Sequence, residues 1–349
     1  MLDGVVLDQN LFLLTAHRQF NRLLSDLALS SDIAPFLKEV IGTVEQFLPG
    51  CKVSILTLNK EHNTLHSGAE NNLPDFYNDA IEGVKIGENV GSCGAAAFLN
   101  KPVIVENINS HANWQPYLAL TQQANLHACW SIPFTDSYKE VMGTFAIYHH
   151  EVKSPTEAEI EIVKVAALIT SVAMEKLKLE EQLIFSATHD ELTRLHNRAF
   201  LNEAGENFLS LCTRNEMNCS VLFMDLNKFK RVNDELGHKA GDELLVHVAK
   251  IIQKQTRKSD ISARFGGDEF IIIMENTAED DGESVAKRIH HAIMDSVSEN
   301  ILALNFGMSI GVARMSAYEK LSLKKLINIA DEAMYFAKQN DLGVYTKRV

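Results

Sequence analysis

Two short apolar runs separated by a pair of glycines constrain the fold of this chain more than any other feature. Residues 261–265 and 268–274 are strand-like, and Gly266 and Gly267 lie between them. A two-residue type I′ turn needs positive φ at both central positions, which glycine tolerates without a steric penalty. The pattern therefore predicts a β-hairpin, with Asp268 emerging directly beside its turn.

A second carboxylate lies where another predicted strand ends. Residues 219–224 are a short apolar run that ends on Asp225, which is the pattern of a buried strand. If the hairpin pairs beside this strand, Asp225 and Asp268 meet at one edge of the sheet. Two carboxylates near glycine amides suit a Mg²⁺-triphosphate site, because Mg²⁺ takes few protein oxygens and fills its shell with water and phosphate. Taken singly, Asp225 could instead cap the next helix, and Asp268 could be an exposed edge charge.

The segments around these carboxylates resemble the GGDEF family of diguanylate cyclases. The similar segments are residues 189–193, 197–198, 225–242, 264–270 and 309–313. The resemblance covers about residues 187–340. It implies a palm-like antiparallel sheet with flanking helices, as in the class III nucleotide cyclases.

The resemblance also implies roles for individual residues. Asp225 and Asp268 would bind Mg²⁺ or Mn²⁺ with the help of the backbone carbonyl of Leu226. Glu269 would support the site. The residues that would contact GTP are Phe229, Lys230, Asn233, Asp242 and Lys338. Lys230 is also placed in the catalytic set with Asp268 and Glu269, and Lys338 would touch phosphate.

The reaction implied is the synthesis of cyclic di-GMP. The ribose 3′-oxygen of one GTP attacks the α-phosphorus of another, and the mirror-image step closes the ring and releases a second pyrophosphate. The amide of Asn233 and the carboxylate of Asp242 can pair with the polar edge of guanine, whereas adenine would leave them unpaired. Because each domain binds one GTP, the resemblance implies a homodimer.

The segment Arg257-Lys258-Ser259-Asp260 resembles the family's R-x-x-D product-inhibition site. In that interpretation Arg257 and Asp260 bind cyclic di-GMP and arrest the enzyme. The alternative is a weak ion pair between the same two side chains at the end of a helix.

Three positions depart from the family pattern. Leu342, next to Asp341, stands where the family usually has an arginine that grips phosphate. Arg194 replaces a usual glycine of the opening motif, and Asn227 replaces a common second aspartate. None of these belongs to the predicted metal pair. They leave open the alternative that the domain is catalytically degenerate and is a receptor for GTP or cyclic di-GMP. Asp341 and Leu342 would weaken the binding of GTP.

A shift in composition divides the chain. All 7 prolines and both tryptophans lie in residues 1–155, and a helix-start signature follows at residues 154–157. We predict an α/β (α+β) protein. Its parts are an N-terminal helix over residues 1–30, a sensory domain with an antiparallel sheet flanked by helices over residues 31–158, a connecting signalling helix over residues 159–186 and the GGDEF domain over residues 187–349.

Apolar residues recur at helical spacing along the connecting helix. The residues in a seven-residue register are Ile162, Val165, Ile169, Val172, Leu179 and Leu183, with Lys176 interrupting it. The register favours a parallel two-helix coiled coil that dimerises the protein and joins its two domains. The alternative is a helix that packs only on its own domain.

The N-terminal half resembles a GAF sensory domain over about residues 30–175. The similar segments are residues 91–96, 101–105, 127–133 and 142–146. The resemblance implies an unknown small-molecule or redox signal. Cys93 and Cys129 stand at positions similar to two cysteines of GAF-type free methionine sulfoxide reductases, so a thiol redox sensor or enzyme is one hypothesis. The alternative is that both thiols are small buried apolar groups.

Charge and hydropathy bear on the class of partner. The net charge is -13, so no broad basic surface is expected to attract nucleic acid or an anionic membrane. The sequence has no uninterrupted apolar run of about 18 residues, so we expect no membrane-spanning helix. The 5 cysteines lack metal-type C-x-x-C spacing, which favours reduced thiols and a cytoplasmic protein.

Overall fold

The computed structural model describes residues 2–29, 32–69, 72–276, 280–316 and 318–348. The chain falls into two compact units that divide between Glu180 and Glu181. Four ends of predicted segments lie outside the described part of the chain: residues 1 and 30 of the N-terminal helix, residue 31 of the sensory domain and residue 349.

The first unit is built on an antiparallel sheet with helices on both faces. Its helices are α1 (Leu2–Leu29), α2 (Ile33–Phe47), α3 (Asp75–Ile81), α4 (Cys93–Leu99) and α5 (Leu118–Gln123), with 3₁₀ segments at Ile108–Ser110 and Ala112–Tyr117. Its strands are β1 (Cys51–Asn59), β2 (Thr64–Ser67), β3 (Val84–Lys85), β4 (Val103–Val105), β5 (Ala128–Thr135) and β6 (Val141–His149). The strands pair in the order β3-β2-β1-β6-β5-β4, and each pair is antiparallel.

Alternation along the central strands gives this sheet two different faces. Val53 and Ile55 of β1 join a core with α1, α2 and the long helix α6 (Glu157–Thr188). The intervening residue, Ser54, points to the opposite face, because successive side chains of a strand alternate. That opposite face packs against α4 through Cys93 and Ala97.

Helix α6 begins with a reciprocal capping arrangement. The Thr156 hydroxyl accepts a hydrogen bond from the Glu159 backbone N–H (3.2 Å), and the Glu159 carboxylate accepts one from the Thr156 backbone N–H (2.8 Å). The helix is 32 residues long and crosses the division between the units. In the part of the chain that the structure describes, no helix is long and apolar enough to cross a membrane.

The predicted seven-residue register of α6 divides into two parts. Ile162 and Ile169 are each 1% exposed and belong to the core of the first unit. In this half the helix packs on its own unit, which was the alternative interpretation. Farther along, Val172, Leu179 and Leu183 are 44%, 58% and 71% exposed. Periodicity alone does not distinguish the two situations, because both need apolar residues on one helix face.

The second unit also has helices on both faces of a sheet. Besides the end of α6, its helices are α7 (Arg198–Arg214), α8 (Phe229–Leu236), α9 (His238–Gln255), α10 (Asp281–Ser296), α11 (Glu299–Leu302) and α12 (Leu323–Gln339). Its strands are β7 (Asn218–Asn227), β8 (Ile261–Arg264), β9 (Glu269–Asn276), β10 (Gly307–Met315) and β11 (Val344–Arg348). Their order is β11-β10-β7-β9-β8, antiparallel except for the parallel pair of β10 and β11. The predicted α/β (α+β) class is confirmed.

Strand β7 lies at the centre of this sheet, and its residues alternate between two cores. Leu222 and Met224 pack with α9 and α10, whereas Val221 and Phe223 pack with α7 and α12. Asp225 continues the second set, because side chains alternate along a strand. It therefore lies at the end of β7 on the face that α12 covers.

The hairpin predicted around Gly266 and Gly267 is present, but its turn differs from the prediction. Strand β8 pairs with β9 as far as Arg264 opposite Phe270. Neither glycine is among the residues with a positive φ. The prediction of a type I′ turn is therefore wrong. The connection is longer than two residues, which removes the need for positive φ at both glycines.

Candidate functional site

The pairing of β7 with β9 brings the predicted metal ligands together. Asp225 lies opposite Glu269 in the register of the two strands. The backbone N–H of Leu226 donates to the carbonyl of Asp268 (3.2 Å). Three acidic residues from two separate segments of the chain therefore meet at one end of β7.

Burial and the negative charge of Asp225 raise the pKa of the other carboxylates at this end of the sheet. Burial is the largest cause of the raised pKa of Asp268, and the negative charge of Asp225 adds to it. The pKa of Glu269 is raised by burial and then by Asp225 and Asp268. A fourth carboxylate, Asp331 on α12, has its pKa raised by burial and by Asp225. Asp331 could not be predicted from the sequence, because its place beside the sheet depends on how α12 packs.

One cation offsets part of this negative charge. Lys338, in the last turn of α12, places its Nζ 2.5 Å from Asp225 Oδ1. The helix reaches the site because it lies very close to β10. A Cβ at Gly311 would fall 2.0 Å from the carbonyl oxygen of Ala330. The predicted phosphate contact Lys338 is thus paired with a predicted metal ligand.

The donor set suits a hard divalent cation that keeps water in its coordination shell. Asp225 and Asp268 offer carboxylate oxygens, and Leu226 offers a backbone carbonyl. Among the described residues, no group of three or more His, Cys, Asp and Glu side chains forms a metal site by itself. Mg²⁺ commonly uses one or two protein carboxylates and completes its shell with water and substrate phosphates. The capping alternative for Asp225 fails, because no side chain caps the start of α8.

Helices α8 and α9 hold the residues predicted to contact the nucleotide. A Cβ at Gly241 would fall 1.9 Å from Asn233 Oδ1 and 3.3 Å from the Phe229 ring. Asn233 and Phe229, one turn apart on α8, therefore lie directly against the start of α9. Asp242 follows Gly241 and is exposed, as is Lys230 on α8. Gly241 was not among the predicted site residues, although a glycine next to the predicted guanine ligand Asp242 could have indicated this close packing.

Asp190, from the segment 189–193 at the start of the second unit, stabilises the turn of the hairpin through Arg264. The Arg264 guanidinium donates to the carbonyl of Gly267 (2.8 Å) and to both carboxylate oxygens of Asp190 (3.1 and 3.2 Å). Burial acts to raise the pKa of Asp190, but hydrogen bonds from Thr193 and Arg264 hold that pKa below its usual range. The charged pair thus fixes the turn on which Asp268 stands.

The two glycines of the turn have different reasons to be glycine. A Cβ at Gly266 would fall 2.6 Å from a carboxylate oxygen of Glu269, so a side chain there would displace that carboxylate. A Cβ at Gly267 would meet no atom within 4 Å. Gly267 therefore borders open space beside Asp268, where a ligand's phosphate could approach the backbone.

The predicted inhibitory residues border a cavity of about 260 Å³. The Asp260 carboxylate accepts a hydrogen bond from the Arg257 backbone N–H (2.7 Å) rather than pairing with its guanidinium. The other carboxylate oxygen, Oδ1, is buried without a hydrogen bond, and burial raises the pKa of Asp260. Arg194, Arg257 and Lys258 all line the cavity. This basic lining suits a phosphate ligand better than the simple ion pair considered as the alternative.

Two of the three departures from the family pattern have a local explanation. Arg194 has a φ of 63°, in the left-handed region that favours glycine, and its guanidinium lies 4.4 Å from the centre of the Phe185 ring. Asn227 donates to the Ser309 hydroxyl (2.9 Å) and so ties β7 to β10. Leu342 is 51% exposed, and the structure gives no local reason for a leucine at this position.

The two cysteines predicted as a redox or ligand site lie in one core of the first unit. Cys93, at the start of α4, is 7% exposed, and Cys129, in β5, is 0% exposed. The Cys93 sulfur lies 3.6 Å from the hydroxyl of Tyr148. Both thiols are therefore buried, as the packing alternative requires, but they also have polar neighbours.

Two family models match the chain, one in each half. A model described as a diguanylate cyclase, GGDEF domain, matches residues 187–342. A model described as a GAF domain matches residues 30–175.

Several named proteins are similar to part of the chain. It is 35% identical over 182 residues to the bifunctional diguanylate cyclase/cyclic di-GMP phosphodiesterase MucR of Pseudomonas aeruginosa, covering 52% of this chain and 26% of that protein. It is 33% identical over 197 residues to diguanylate cyclase A of Treponema denticola, covering 53% of this chain and 50% of that protein. A solved structure of the coiled coil and GGDEF domain of DgcB from Caulobacter crescentus, in complex with c-di-GMP, is 23% identical, covers 55% of this chain and 100% of that one, and has a TM-score of 0.46. The matched part of the chain thus spans 26% of the length of MucR and 50% of the length of diguanylate cyclase A.

We predict that Asp225→Asn lowers the pKa of both Asp268 and Glu269. The substitution keeps the side-chain shape but removes a negative charge that raises both values. An NMR titration of the carboxyl carbons, without added divalent cation, measures them. Asp295→Asn, at an exposed position on α10, is the matched control and should leave both pKa values unchanged. Unchanged values in Asp225→Asn would contradict the convergence of the three carboxylates.

Proposed function

We propose that this chain is a sensor-regulated diguanylate cyclase, because residues 187–342 belong to the GGDEF family of diguanylate cyclases and residues 30–175 to the GAF family. In this proposal two GTP molecules are condensed to cyclic di-GMP and two pyrophosphates, under a signal received by the GAF domain. The observation that supports it most is the convergence of Asp225, Asp268 and Glu269 at the end of β7. Relatives named diguanylate cyclase match about half of the chain.

The proposal assigns a division of labour along the chain. The N-terminal helix would be residues 1–30, and the sensory domain would be residues 31–158. Residues 159–186 would connect the sensory domain to residues 187–349, which would catalyse the reaction. The connecting segment is suited to that role because α6 is one continuous helix across the two units.

The proposed chemistry is phosphoryl transfer assisted by charge. Asp225, Asp268 and the Leu226 carbonyl would hold Mg²⁺ or Mn²⁺, which neutralises the triphosphate and the charge that develops during transfer. Asn233 and Asp242 would orient the guanine base by pairing with its polar edge. With the base and the triphosphate fixed at separate points, the ribose 3′-oxygen is held for attack on a second nucleotide.

Lys338 has a specific task in this proposal. Its ammonium is paired with Asp225 in the structure, at 2.5 Å. When a cation takes over the charge of Asp225, Lys338 is free to contact phosphate from the last turn of α12. Lys230, exposed on α8, would approach the triphosphate from a second helix. These two lysines are the proposed replacement for the arginine that the family usually has at the position of Leu342.

The decisive experiment is turnover of GTP by the full chain with Mg²⁺. We expect cyclic di-GMP from the unaltered protein and a loss of about 1,000-fold or more in the initial rate for Asp268→Asn, because the substitution removes one of the two carboxylates that would hold the metal ion beside the transferring phosphate. Asp295→Asn on α10 is the matched control and should retain the rate. Tight binding of GTP without product in the unaltered protein would instead support the receptor alternative, which the exposed Leu342 beside Asp341 favours.

The second half of α6 supports a dimer in which two nucleotides face each other. Val172, Leu179 and Leu183 remain exposed in the register predicted for a coiled-coil seam. Since both GTP molecules must meet for the reaction, the proposed enzyme is active only as a homodimer.

We expect that Leu179→Glu combined with Leu183→Glu makes the protein monomeric and lowers the initial rate by at least about tenfold. Charges at two successive seam positions repel their copies in a partner helix. Sedimentation velocity and the rate of product formation check the two effects. Ile184→Glu, at an exposed position of α6 outside the register, is the control. A double variant that stays dimeric and active would remove the seam from the proposal.

Arg257 and Asp260 are proposed to bind the product and slow the enzyme. The cavity beside them is lined by three basic side chains and holds a buried, unpaired carboxylate oxygen. A guanidinium can contact phosphate with two N–H groups at once, and the carboxylate can accept from a guanine N–H.

We expect Arg257→Ala to raise the cyclic di-GMP concentration needed for half inhibition by at least about tenfold, because a charge-assisted pair of hydrogen bonds is lost. The initial rate without product should not change, since Arg257 does not belong to the carboxylate site. Lys254→Ala, at an exposed position in the last turn of α9, is the control. Inhibition that is unaltered in Arg257→Ala, or a slower reaction before product accumulates, would count against this role.

A further inference from the structure

The sheet of the first unit carries unpaired hydroxyl groups on the face that α4 covers. Ser54, Ser131 and Thr144 are each 0% exposed, and their hydroxyl oxygens have no hydrogen-bond partner. In the strand register Ser54 and Ser131 lie on either side of Ala146, so these positions share one face of three adjacent strands. A buried hydroxyl without a hydrogen-bond partner costs free energy of folding, and the groups beside these hydroxyls indicate a function for them.

A pair of thiols lies against this patch of hydroxyls. The Trp114 ring N–H donates to the Ser92 hydroxyl (3.1 Å), which donates to the backbone carbonyl of Cys129 (3.2 Å). These bonds fix the residue before Cys93 against the strand that carries Cys129. Cys129 lies opposite Tyr148 in the pairing of β5 with β6, and the Cys93 sulfur lies 3.6 Å from the Tyr148 hydroxyl, so both cysteines lie beside the same tyrosine.

The surroundings make the two thiols chemically unequal. The hydrogen bond from Cys129 is the largest cause of the lowered pKa of Cys93; burial opposes it, and Tyr148, Ser131 and Thr144 add to it. The hydroxyls of Ser131 and Thr144 have no hydrogen-bond partner in the structure, so they are free to donate to a thiolate. Burial and Cys93 together raise the pKa of Cys129. Cys93 is therefore the nucleophile of the pair, and Cys129 retains its proton.

A small cavity opens onto the Cys93 side of the pair. Its volume is about 40 Å³, and its polar lining includes Cys93, Ser92 and Tyr148. Val84 and Val90, which also line it, are partly exposed, so the cavity lies near the surface of the unit. A cavity of this volume holds about three water-sized molecules. A neutral molecule of two or three heavy atoms fits this volume.

We propose that Cys93 and Cys129 reduce hydrogen peroxide and are oxidised to a disulfide. The Cys93 thiolate attacks one peroxide oxygen, the O–O bond breaks, and the leaving hydroxide takes up the proton that Cys93 had given up and departs as water. Cys93 is then a sulfenic acid. The Cys129 sulfur displaces the hydroxyl group from Cys93, the thiol proton leaves with it as a second water, and the S–S bond forms. In total two thiols lose two electrons and hydrogen peroxide becomes two waters.

This reaction does not depend on the proposed cyclase activity, and the chain contains its own comparison thiols. All 5 cysteines are free and buried, so burial alone does not single out the pair. Cys51 has its pKa raised to about 12, chiefly by burial. Cys212 and Cys219 are two buried cysteines of one core in the other unit.

The test is a map of the oxidised sites in the full chain. The reduced protein is treated with stoichiometric hydrogen peroxide, free thiols are alkylated, and peptides are identified by mass spectrometry. We expect one disulfide joining Cys93 to Cys129, with Cys51, Cys212 and Cys219 alkylated. A disulfide between Cys212 and Cys219 with the first pair still alkylated would overturn the proposal. Reaction of the pair with methionine sulfoxide but not with peroxide would overturn it equally.

Two variants separate the roles of the thiols. In Cys129→Ser we expect the sulfenic acid of Cys93 to persist and to be trapped by dimedone, because the resolving thiol is absent. In Cys93→Ser we expect Cys129 to stay alkylated. Cys51→Ser is the matched control and should form the disulfide at the unaltered rate. Near-UV circular dichroism checks that each variant is folded. The peptide map of the unaltered chain tests the disulfide independently, whether or not the variants fold. Oxidation of Cys129 in Cys93→Ser would contradict the assigned order.

Discussion

The repulsion among the carboxylates at the end of β7 is the constraint on which the second unit depends. The strand is paired on both sides, so Asp225 cannot withdraw from Asp268 and Glu269. Charges of one sign at short range in a half-buried setting interact more strongly than they would in water. Lys338 offsets only part of this charge, and burial followed by the charge of Asp225 still raises the pKa of both Asp268 and Glu269. The fold thus holds a concentration of negative charge that a divalent cation relieves.

The strands and the meeting of the carboxylates could be predicted from the sequence, because they follow from apolar periodicity and from the positions where strands end. The form of the turn could not. Its conformation depends on Arg264, which bonds both Gly267 and Asp190, and Asp190 is distant in sequence. Long-range bonds of this kind override the preference of a Gly-Gly pair for a two-residue turn. The role of Asp331 could not be predicted for a similar reason, because it depends on the packing of α12 against the sheet.

The buried and exposed halves of α6 show a second limit of sequence reasoning. A regular apolar stripe indicates a covered helix face but not what covers it. Ile162 and Ile169 fill the core of their own unit, whereas Leu179 and Leu183 continue the same stripe into solvent. Burial also had to be known before the thiols could be interpreted. Cys93 and Cys129 resemble ordinary core residues until their neighbours, among them the unpaired hydroxyls of the sheet, are located.

The strand order of the second unit has a consequence for the synthesis of the chain. Strand β7 needs β10 as a partner, yet β10 begins at Gly307, about 80 residues after β7 ends at Asn227. A ribosome adds ~5–20 residues per second, so one edge of β7 stays unpaired for roughly 4–16 s until β10 has been synthesised. The waiting edge belongs to an apolar strand, which is a template for pairing with other chains. Co-translational protection of this edge, by a chaperone or by early packing of α9, is therefore a condition for a good yield of folded protein.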